Sequence, residues 1–179
     1  MPDNGRILGM TDNDPPYEVA FDGGAREIDD LRVAGAGAVL WGHSQTTGQR
    51  EILGVSRVSL PQEQHAQVAE AWGLRLALGL LLDTGARIRI ARVLGDNLAV
   101  VRYGAGHGRL HRPAMQSLLE QPLARAALAG WGLEWVAVRR RYNQPADEEA
   151  TRALRLAREL ARRGVVRPYI QTDLSPGQQ

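Results

Sequence analysis

Four acidic residues lie at positions where a carboxylate could have either a structural or a chemical role. Asp22 closes the alternating segment YEVAFD and precedes two glycines, and Asp96 directly follows the segment RIRIARVLG. Glu70 lies inside the apolar stretch QVAEAWGLRLALGLLL, and Asp147 comes four residues after Asn143 in RRRYNQPADEEATRAL. Carboxylates bind hard cations and transfer protons, so the first question is whether these four meet in space.

Taken singly, the three aspartates have ordinary structural interpretations. An aspartate before glycines is typical of a turn, which accounts for Asp22. Asp96 is well placed as the N-cap of the helix that Asn97 opens. Asp147 complements the dipole of a final helix for which Asn143 can serve as the cap.

Glu70 is more informative because its helix is apolar nearly all round, which indicates burial on several sides. On the helical wheel it shares a face with Ala66, Gly73 and Ala77, small residues that allow another element to approach closely. A buried carboxylate is costly unless it is protonated, paired or bound to a cation. An ion pair with an arginine and a functional carboxylate are equally supported at this point.

The composition narrows the chemistry. The 179 residues suit one domain, and the absence of cysteine excludes disulfides and a thiol nucleophile. All 22 basic residues are arginine, whose planar guanidinium groups suit phosphate oxygens. Net charge is only +2, so a binding site for a polyanion must arise from local clustering.

No targeting or membrane segment is apparent. The opening MPDNGRILGM is a poor signal peptide, and no run approaches the roughly 18 apolar residues of a membrane span. We therefore expect a soluble, intracellular protein, cytoplasmic or nuclear, with no membrane partner.

Hydrophobic periodicity and turn signals predict a mixed α/β domain over residues 17–164, between a flexible leader (1–16) and an extended or disordered tail (165–179). The predicted elements are strands at 17–24, 34–42 and 52–60, a helix at 61–83, a strand at 87–94, helices at 97–104 and 113–129, a strand at 133–140 and a helix at 144–163.

Considered together, the acids favour a shared site. In open α/β sheets the functional crevice lies beyond the carboxyl ends of the strands. If the strands that end at Asp22 and Asp96 are parallel neighbours, their carboxylates meet there. Clustered carboxylates repel unless cations hold them, and oxygen ligands without cysteine favour Mg²⁺ or Mn²⁺.

This constellation resembles the type 1 ribonuclease H family, especially its reverse-transcriptase-like branch. The matching segments are FDGGA with Asp22, VAEAWGLRLAL with Glu70, VLGDNLAVV with Asp96, and RRYNQPAD with Asp147. They occur in the family's order across roughly residues 17 to 160. The resemblance implies a five-stranded mixed sheet in the order 3-2-1-4-5, flanked by helices, with the first and fourth strands side by side.

The resemblance also implies an activity, namely hydrolysis of the RNA strand of an RNA–DNA hybrid, in a protein that is free-standing or part of a reverse transcriptase. It implies that two Mg²⁺ or Mn²⁺ ions are held by the four acids. The positions that it assigns to substrate contact are Gly23, Gly24, Gln67, Asn97, Arg140 and Asn143.

The chain also departs from the family's pattern. Gln67 lies where many members carry an asparagine pair, Asn97 replaces a serine, and AREIDDLRVAG stands where Gly-Asn-Pro-Gly is common. Two alternatives therefore stay open: a ribonuclease-H-like module that binds nucleic acid or protein without cutting, and a DNA nuclease on the same fold.

Among the remaining basic residues, Arg139 to Arg141 are the better phosphate candidates because they lie near Asp147. His107 and His111 are interpreted as surface residues. The arginines of the last helix are interpreted as a solvated face: Arg152, Arg155, Arg158 and Arg162.

Overall fold

The structure, a computed structural model, describes residues 16–43, 49–63, 65–84 and 90–175. The strands are β1 (Tyr17–Ile28), β2 (Leu31–His43), β3 (Arg50–Leu60), β4 (Ile90–Gly95), β5 (Gly132–Ala137) and β6 (Tyr169–Leu174). The α-helices are α1 (Ala66–Asp83), α2 (Leu98–Gly104), α3 (Pro113–Leu128) and α4 (Gln144–Arg162), and a 3-10 turn spans Arg140–Tyr142.

Some predicted features lie outside the described residues. These are the leader up to residue 15, most of the link between β2 and β3 (44–48), the start of the predicted strand at 87–94, and the last four residues. Within the part of the chain that is described, no helix is long and apolar enough to cross a membrane.

The strands form one mixed sheet in the order β5-β4-β1-β2-β3-β6. β1 runs parallel to β4 and antiparallel to β2, and β4 runs parallel to β5. The predicted order 3-2-1-4-5 is confirmed for the first five strands, and the neighbouring position of β1 and β4 brings the segments carrying Asp22 and Asp96 together.

The predicted sheet of five strands is wrong by one, because part of the tail adds a sixth. β6 pairs antiparallel with β3, and Ser56 Oγ lies 2.9 Å from Thr172 Oγ1 across the pair. Arg57 Nε also donates to Gln171 Oε1 at 2.9 Å. β6 is mostly exposed, and its apolar residues Tyr169, Ile170 and Leu174 do not alternate with polar ones. Backbone pairing with a free sheet edge therefore supplies its order.

β1 is longer than predicted. Its parallel ladder with β4 ends at the pair Phe21–Gly95, yet the strand continues to Ile28 against β2. Asp22 therefore lies not at the end of β1 but at the residue where β1 leaves β4. The expected position of the crevice is unchanged, because the crevice opens where the pairing between the parallel strands β1 and β4 stops.

A two-residue turn joins β1 to β2. Asp29 and Asp30 both have positive φ, 50° and 60°, a geometry that aspartate tolerates and that matches the twist of a hairpin. The Asp29 carboxylate also accepts hydrogen bonds from Arg158 and Arg162 of α4. These two arginines, predicted to be solvated, thus tie the hairpin to the last helix.

The main core lies between the sheet and α1, which buries leucines on several sides as predicted. Phe21, Leu74, Leu78 and Leu81 are all fully buried there. The opposite face of the sheet is covered by α4, whose buried residues are mostly alanines. Small side chains on α4 let the helix lie close to the strands.

Glycines bring α1 into contact with the backbone of β1. A Cβ on Gly23 would lie 2.2 Å from the carbonyl carbon of Ala69, and a Cβ on Gly73 would lie 2.6 Å from the carbonyl oxygen of Asp22. Neither position has room for a side chain. This contact sets Glu70, on α1, directly beside Asp22.

The glycines of β2 do the same for α4. A Cβ on Gly35 would lie 2.5 Å from the Leu154 nitrogen, and one on Gly37 would lie 2.5 Å from the Glu149 Cβ. The segment AGAGAVLW thus lets α4, which carries Asp147, lie against the sheet.

Gly23→Ala is expected to lower the free energy of unfolding by about 1–3 kcal/mol, because the new methyl forces α1 away from β1. Gly24→Ala is the matched control, since the nearest atom to its added Cβ is the Leu154 Cδ1 at 3.9 Å. It should change stability by less than about 0.5 kcal/mol. Urea unfolding of both variants measures the difference, and equal effects would contradict the close contact.

Candidate metal centre

Three carboxylates from three elements converge at the end of the β1–β4 ladder. Asp22 of β1, Glu70 of α1 and Asp96, just after β4, each place a potential ligand atom within 4.8 Å of the others. Asp22 is buried, and the other two are half-buried. The convergence predicted from the sequence is therefore present in the structure for these three acids.

Asp96 does not cap α2, the structural role for which its position is suited. The N-cap is Asn97, whose Oδ1 accepts from the backbone nitrogens of Ala99 at 3.1 Å and Val100 at 3.3 Å. The Asp96 Oδ1 is buried without a hydrogen-bond partner among the described residues. Because Asn97 takes over capping, Asp96 is left free to face the other acids.

Glu70 has no arginine partner within ion-pairing distance in the described part of the chain, and its Oε2 is buried without a hydrogen bond. Burial, reinforced by the charges of Asp22 and Asp96, raises its pKa to about 9, although a hydrogen bond from Asn97 and the charge of Arg140 act in the opposite direction. Of the two interpretations open from the sequence, the structure favours a functional carboxylate over an ion pair.

Asp22 is perturbed in the same direction. Burial and then the charge of Asp96 raise its pKa to about 7, while a hydrogen bond from the backbone nitrogen of Gly23 at 2.9 Å opposes the shift. A hydrogen bond with Asp147 raises the pKa further, because the protonated Asp22 donates to Asp147. Without a cation, Asp22 therefore keeps its proton to a higher pH than an isolated aspartate does.

Asp147 lies at the rim of this group rather than inside it. It stands in the first turn of α4, accepts a hydrogen bond from Arg140 Nη2 at 2.7 Å and bonds with Asp22. Burial alone would raise the pKa of Asp147, but the hydrogen bonds from Arg140 and Asp22 and the charge of Arg140 lower it. Asp147 therefore stays ionised more readily than Asp22 or Glu70.

A cleft of about 300 Å³ contains all four acids. Of the predicted substrate contacts, Gly23, Gly24 and Arg140 line it. Arg26 lines it too and lowers the pKa of Asp147 by its charge, a residue that the sequence analysis missed. Arg26 lies four residues after Asp22 in β1, and it reaches the cleft because β1 continues beyond its pairing with β4.

The other three predicted contacts do not line this cleft. Gln67 is exposed on α1, where its Oε1 accepts from Arg112 Nε at 3.2 Å. Asn97 caps α2 through its Oδ1 and also hydrogen-bonds to Glu70, so it lies beside the three acids. Asn143 does not fit a substrate contact, because its side chain is fully buried. Nor does it cap α4 through its side chain.

Asn143 instead connects two parts of the site. Its Nδ2 donates to the carbonyl oxygen of Phe21 at 2.8 Å, immediately before Asp22. Because Phe21 is the last residue paired with β4, this bond attaches the start of α4 to the point where β1 leaves the ladder. Asn143 therefore positions Asp147 relative to Asp22.

The residues present fit a divalent cation. Among the described residues the three carboxylates form no ion pair with a basic side chain, and two of their oxygens are buried without a hydrogen-bond partner. The donor set is all oxygen. Such a set suits hard cations such as Mg²⁺ or Mn²⁺, whose charge would offset the repulsion that raises the pKa values.

Comparison with known proteins agrees with this geometry. Residues 20–153 match the family described as reverse transcriptase-like. The chain belongs to this family. A comparison of the same chain with curated protein sequences finds no match.

Solved structures similar to this reverse transcriptase-like domain are type 1 ribonuclease H domains. The N-terminal RNase H domain of rv2228c from Mycobacterium tuberculosis is 25% identical, with a TM-score of 0.64 over 81% of this chain and 99% of that one. LC11-RNase H1, isolated from compost and solved with an RNA/DNA hybrid, is 24% identical, with a TM-score of 0.65 over 79% and 98%. RNase H1 from Halobacterium salinarum is 24% identical, with a TM-score of 0.60 over 76% and 96%.

The raised pKa values predict a pH-dependent stability for the metal-free protein. Between about pH 5 and 8 the folded state keeps protons on Glu70 and Asp22 that the unfolded chain has released, so the free energy of unfolding falls as pH rises. Glu70→Gln should flatten this dependence and raise the free energy of unfolding at pH 8 by about 1–3 kcal/mol.

Urea unfolding in EDTA at several pH values checks this expectation. Glu120→Gln, at an exposed position of α3, is the control and should keep the wild-type profile. A Glu70→Gln protein with the same pH dependence and stability as wild type would show that Glu70 carries no such penalty.

Proposed function

We propose that this domain is a divalent-metal-dependent endoribonuclease that hydrolyses the RNA strand of RNA–DNA hybrids. The observation that carries the proposal is the convergence of Asp22, Glu70 and Asp96 at the end of the parallel ladder. None of the three forms an ion pair with a basic side chain in the described part of the chain. Membership of the reverse transcriptase-like family and the similarity to ribonuclease H1 structures support the choice of reaction.

In this proposal Asp22, Glu70 and Asp96 hold the cations, two Mg²⁺ or Mn²⁺ ions, and Asp147 is the fourth ligand. When bound, the ions supply an activated water and stabilisation of the leaving 3′ oxygen. The protein's own contribution is positioning, because in-line phosphoryl transfer depends mainly on alignment and neutralised charge.

Arg140 and Asp147 act as a pair at the rim of the cleft. The Arg140 side chain is 70% exposed and has donors beyond the one given to Asp147, so it can also meet a phosphate oxygen. Its charge keeps Asp147 ionised and ready to bind a cation. The buried Asn143 holds the backbone of this pair against β1.

In this proposal the domain recognises the hybrid through its sugar–phosphate backbone and not through the amide side chains that are common in relatives. Gln67 is engaged with Arg112, and Asn97 with the start of α2. The cleft is lined instead by glycines, by acids and by Arg26 and Arg140, groups that suit sugar–phosphate contacts. Little sequence preference is therefore expected.

The test is cleavage of labelled duplexes in the presence of Mg²⁺ or Mn²⁺. The wild-type domain should cut the RNA strand of an RNA–DNA hybrid, and Asp22→Asn and Asp96→Asn should each lower kcat by about 1,000-fold or more, because each removes a charged cation ligand. The exposed control Glu120→Gln should stay within about twofold of wild type.

Two duplexes, an RNA–DNA hybrid and a DNA–DNA duplex, separate the alternatives. Cleavage of a DNA–DNA duplex but not of the hybrid would replace the proposal with a DNA nuclease. Tight hybrid binding without metal-dependent cleavage would indicate a binding module. Equal cleavage by wild type and both aspartate variants would place the reaction at another site.

A further inference from the structure

The sixth strand, β6, forms a free edge of the sheet. It pairs with β3 on one side, and no described strand pairs with its other side. Exposed apolar side chains are concentrated along this strand and just before it: Val166, Tyr169, Ile170 and Leu174 are each about half exposed. A strand with an unpaired backbone edge and exposed apolar side chains is a template for another strand.

The usual protections of a free edge are weak on β6. Natural sheets block such edges with charged side chains, prolines or bulges. Pro168 precedes the strand, but no proline lies within it, and its pairing with β3 has a regular register. Asp173 is the only charged residue of the strand, and Arg57 Nη2 lies 3.5 Å from its carboxylate and offsets the charge. The edge is therefore open to pairing.

The pairing with β3 shows which backbone groups of β6 are unused. Ser175, just after the strand, donates its backbone nitrogen to the Leu53 oxygen at 3.0 Å. Neighbouring residues of an antiparallel strand direct their backbone groups to opposite sides, so the residues at 171 and 173 also face β3. The backbone nitrogens and oxygens of Ile170, Thr172 and Leu174 therefore point to the free edge.

This edge is complementary to a second copy of itself. A twofold axis perpendicular to the sheet at Thr172 places Thr172 opposite its copy and Ile170 opposite Leu174, twice by symmetry. Each facing pair then exchanges two backbone hydrogen bonds. All three side chains lie on the α1 face of the sheet, since a Cβ on Gly54 would lie 3.0 Å from both Leu174 Cδ2 and Leu80 Cδ2. The Ile170–Leu174 pairs therefore remove exposed apolar surface from water.

The polar residues on the opposite face of β6 are complementary in the same register. There Gln171 lies opposite Asp173 of the second copy. The Gln171 Oε1 accepts from Arg57 Nε at 2.9 Å, and no described residue accepts from its Nε2. That nitrogen is available to donate to the Asp173 carboxylate of the second copy. Pairing thus leaves no uncompensated charge in the contact.

We propose that the free edge of β6 is a self-association surface, on which a second copy of this chain pairs antiparallel and extends the sheet across both copies. The self-complementary register favours a second copy over an unrelated strand. β6 is three strands away from β1, roughly 14 Å at about 4.8 Å for each strand, so the carboxylate cleft stays open in the dimer. The two clefts then lie roughly 30 Å or more apart across the joined sheet.

Sedimentation velocity of the full chain, at protein concentrations from about 2 to 200 μM, measures the dimer directly. Wild type should dimerise as its concentration rises. Ile170→Lys places a lysine opposite Leu174 at both symmetric positions and should raise the dimer Kd at least about tenfold. Ile90→Lys is the matched control, because Ile90 is similarly exposed but lies on β4 in the interior of the sheet. Its Kd should stay within about twofold of wild type.

A mixture of two variants tests the register. Leu174→Glu alone should also weaken dimerisation at least about tenfold. The Ile170→Lys and Leu174→Glu proteins, when mixed, should dimerise again, because the mixed dimer has lysine opposite glutamate at one position and isoleucine opposite leucine at the other. Circular dichroism melting of each variant separates a loss of pairing from a loss of folding.

A cysteine at the twofold axis gives an independent measurement. The chain contains no cysteine of its own. Facing residues of a hydrogen-bonded antiparallel pair have Cα atoms about 5.5 Å apart, a distance that a disulfide spans. Thr172→Cys should therefore form a covalent dimer under mild oxidation, whereas Ile90→Cys should run as a monomer in non-reducing electrophoresis.

Several results would overturn the dimer. A wild-type chain that stays monomeric at about 200 μM would leave the edge to a strand of another protein. Equal Kd values for Ile170→Lys and Ile90→Lys would place the contact between copies elsewhere. Mixed variants that do not associate, or a Thr172→Cys protein that does not cross-link, would contradict the antiparallel register. No substrate is present in these measurements, so dimerisation is tested independently of the proposed function.

Discussion

Mutual repulsion among three carboxylates is the constraint around which this domain is organised. Carboxylate oxygens of Asp22, Glu70 and Asp96 lie within 4.8 Å of one another. Burial adds to the effect of their repulsion, and together they raise the pKa of Asp22 and of Glu70. Close backbone contact holds them there, since Gly23 and Gly73 let α1 lie directly on β1. Such a centre costs stability in the absence of a cation, which is a common property of sites built to bind one.

The buried Glu149 shows how this domain holds a carboxylate that has a structural role. It accepts hydrogen bonds from Arg57 at 2.8 Å and from Arg152 at 2.6 Å. Arg57 in turn bonds to Gln171 of β6, so these contacts also link α4 to the added strand. Glu70, in contrast, has no arginine within ion-pairing distance among the described residues, and its Oε2 is buried without a hydrogen bond.

The sequence was sufficient to predict that the acids of β1 and β4 converge, but not the full length of β1 or the presence of β6. Periodicity predicted that Asp22 and Asp96 each follow a strand, because each follows a strong alternating segment, and the resemblance to ribonuclease H implied that the two strands are neighbours. The length of β1 was not predicted, since residues 25 to 27 are small or polar and do not continue the apolar alternation of the strand. β6 was not predicted because most of its side chains are exposed. It is ordered by backbone pairing with the free edge of β3.

The side-chain partners of the two asparagines could not be predicted from the sequence. The resemblance implied substrate contact for Asn97 and Asn143. In the structure Asn97 caps α2, and Asn143 is buried and donates to the Phe21 carbonyl. Asparagine has a donor and an acceptor on one short side chain, so its partner depends on which backbone groups the tertiary fold leaves unpaired. The hydrogen-bond partner of an asparagine therefore cannot be predicted from local spacing. The carboxylates could be recognised because burying their charge is costly in any fold.

The most direct test of this account is a crystal structure of the domain grown or soaked with Mn²⁺ at about pH 8, with anomalous differences measured for the metal. The account predicts an anomalous peak within about 2.0–2.4 Å of carboxylate oxygens of Asp22, Glu70 and Asp96. Manganese bound only elsewhere, with these three carboxylates still free of metal, would contradict it.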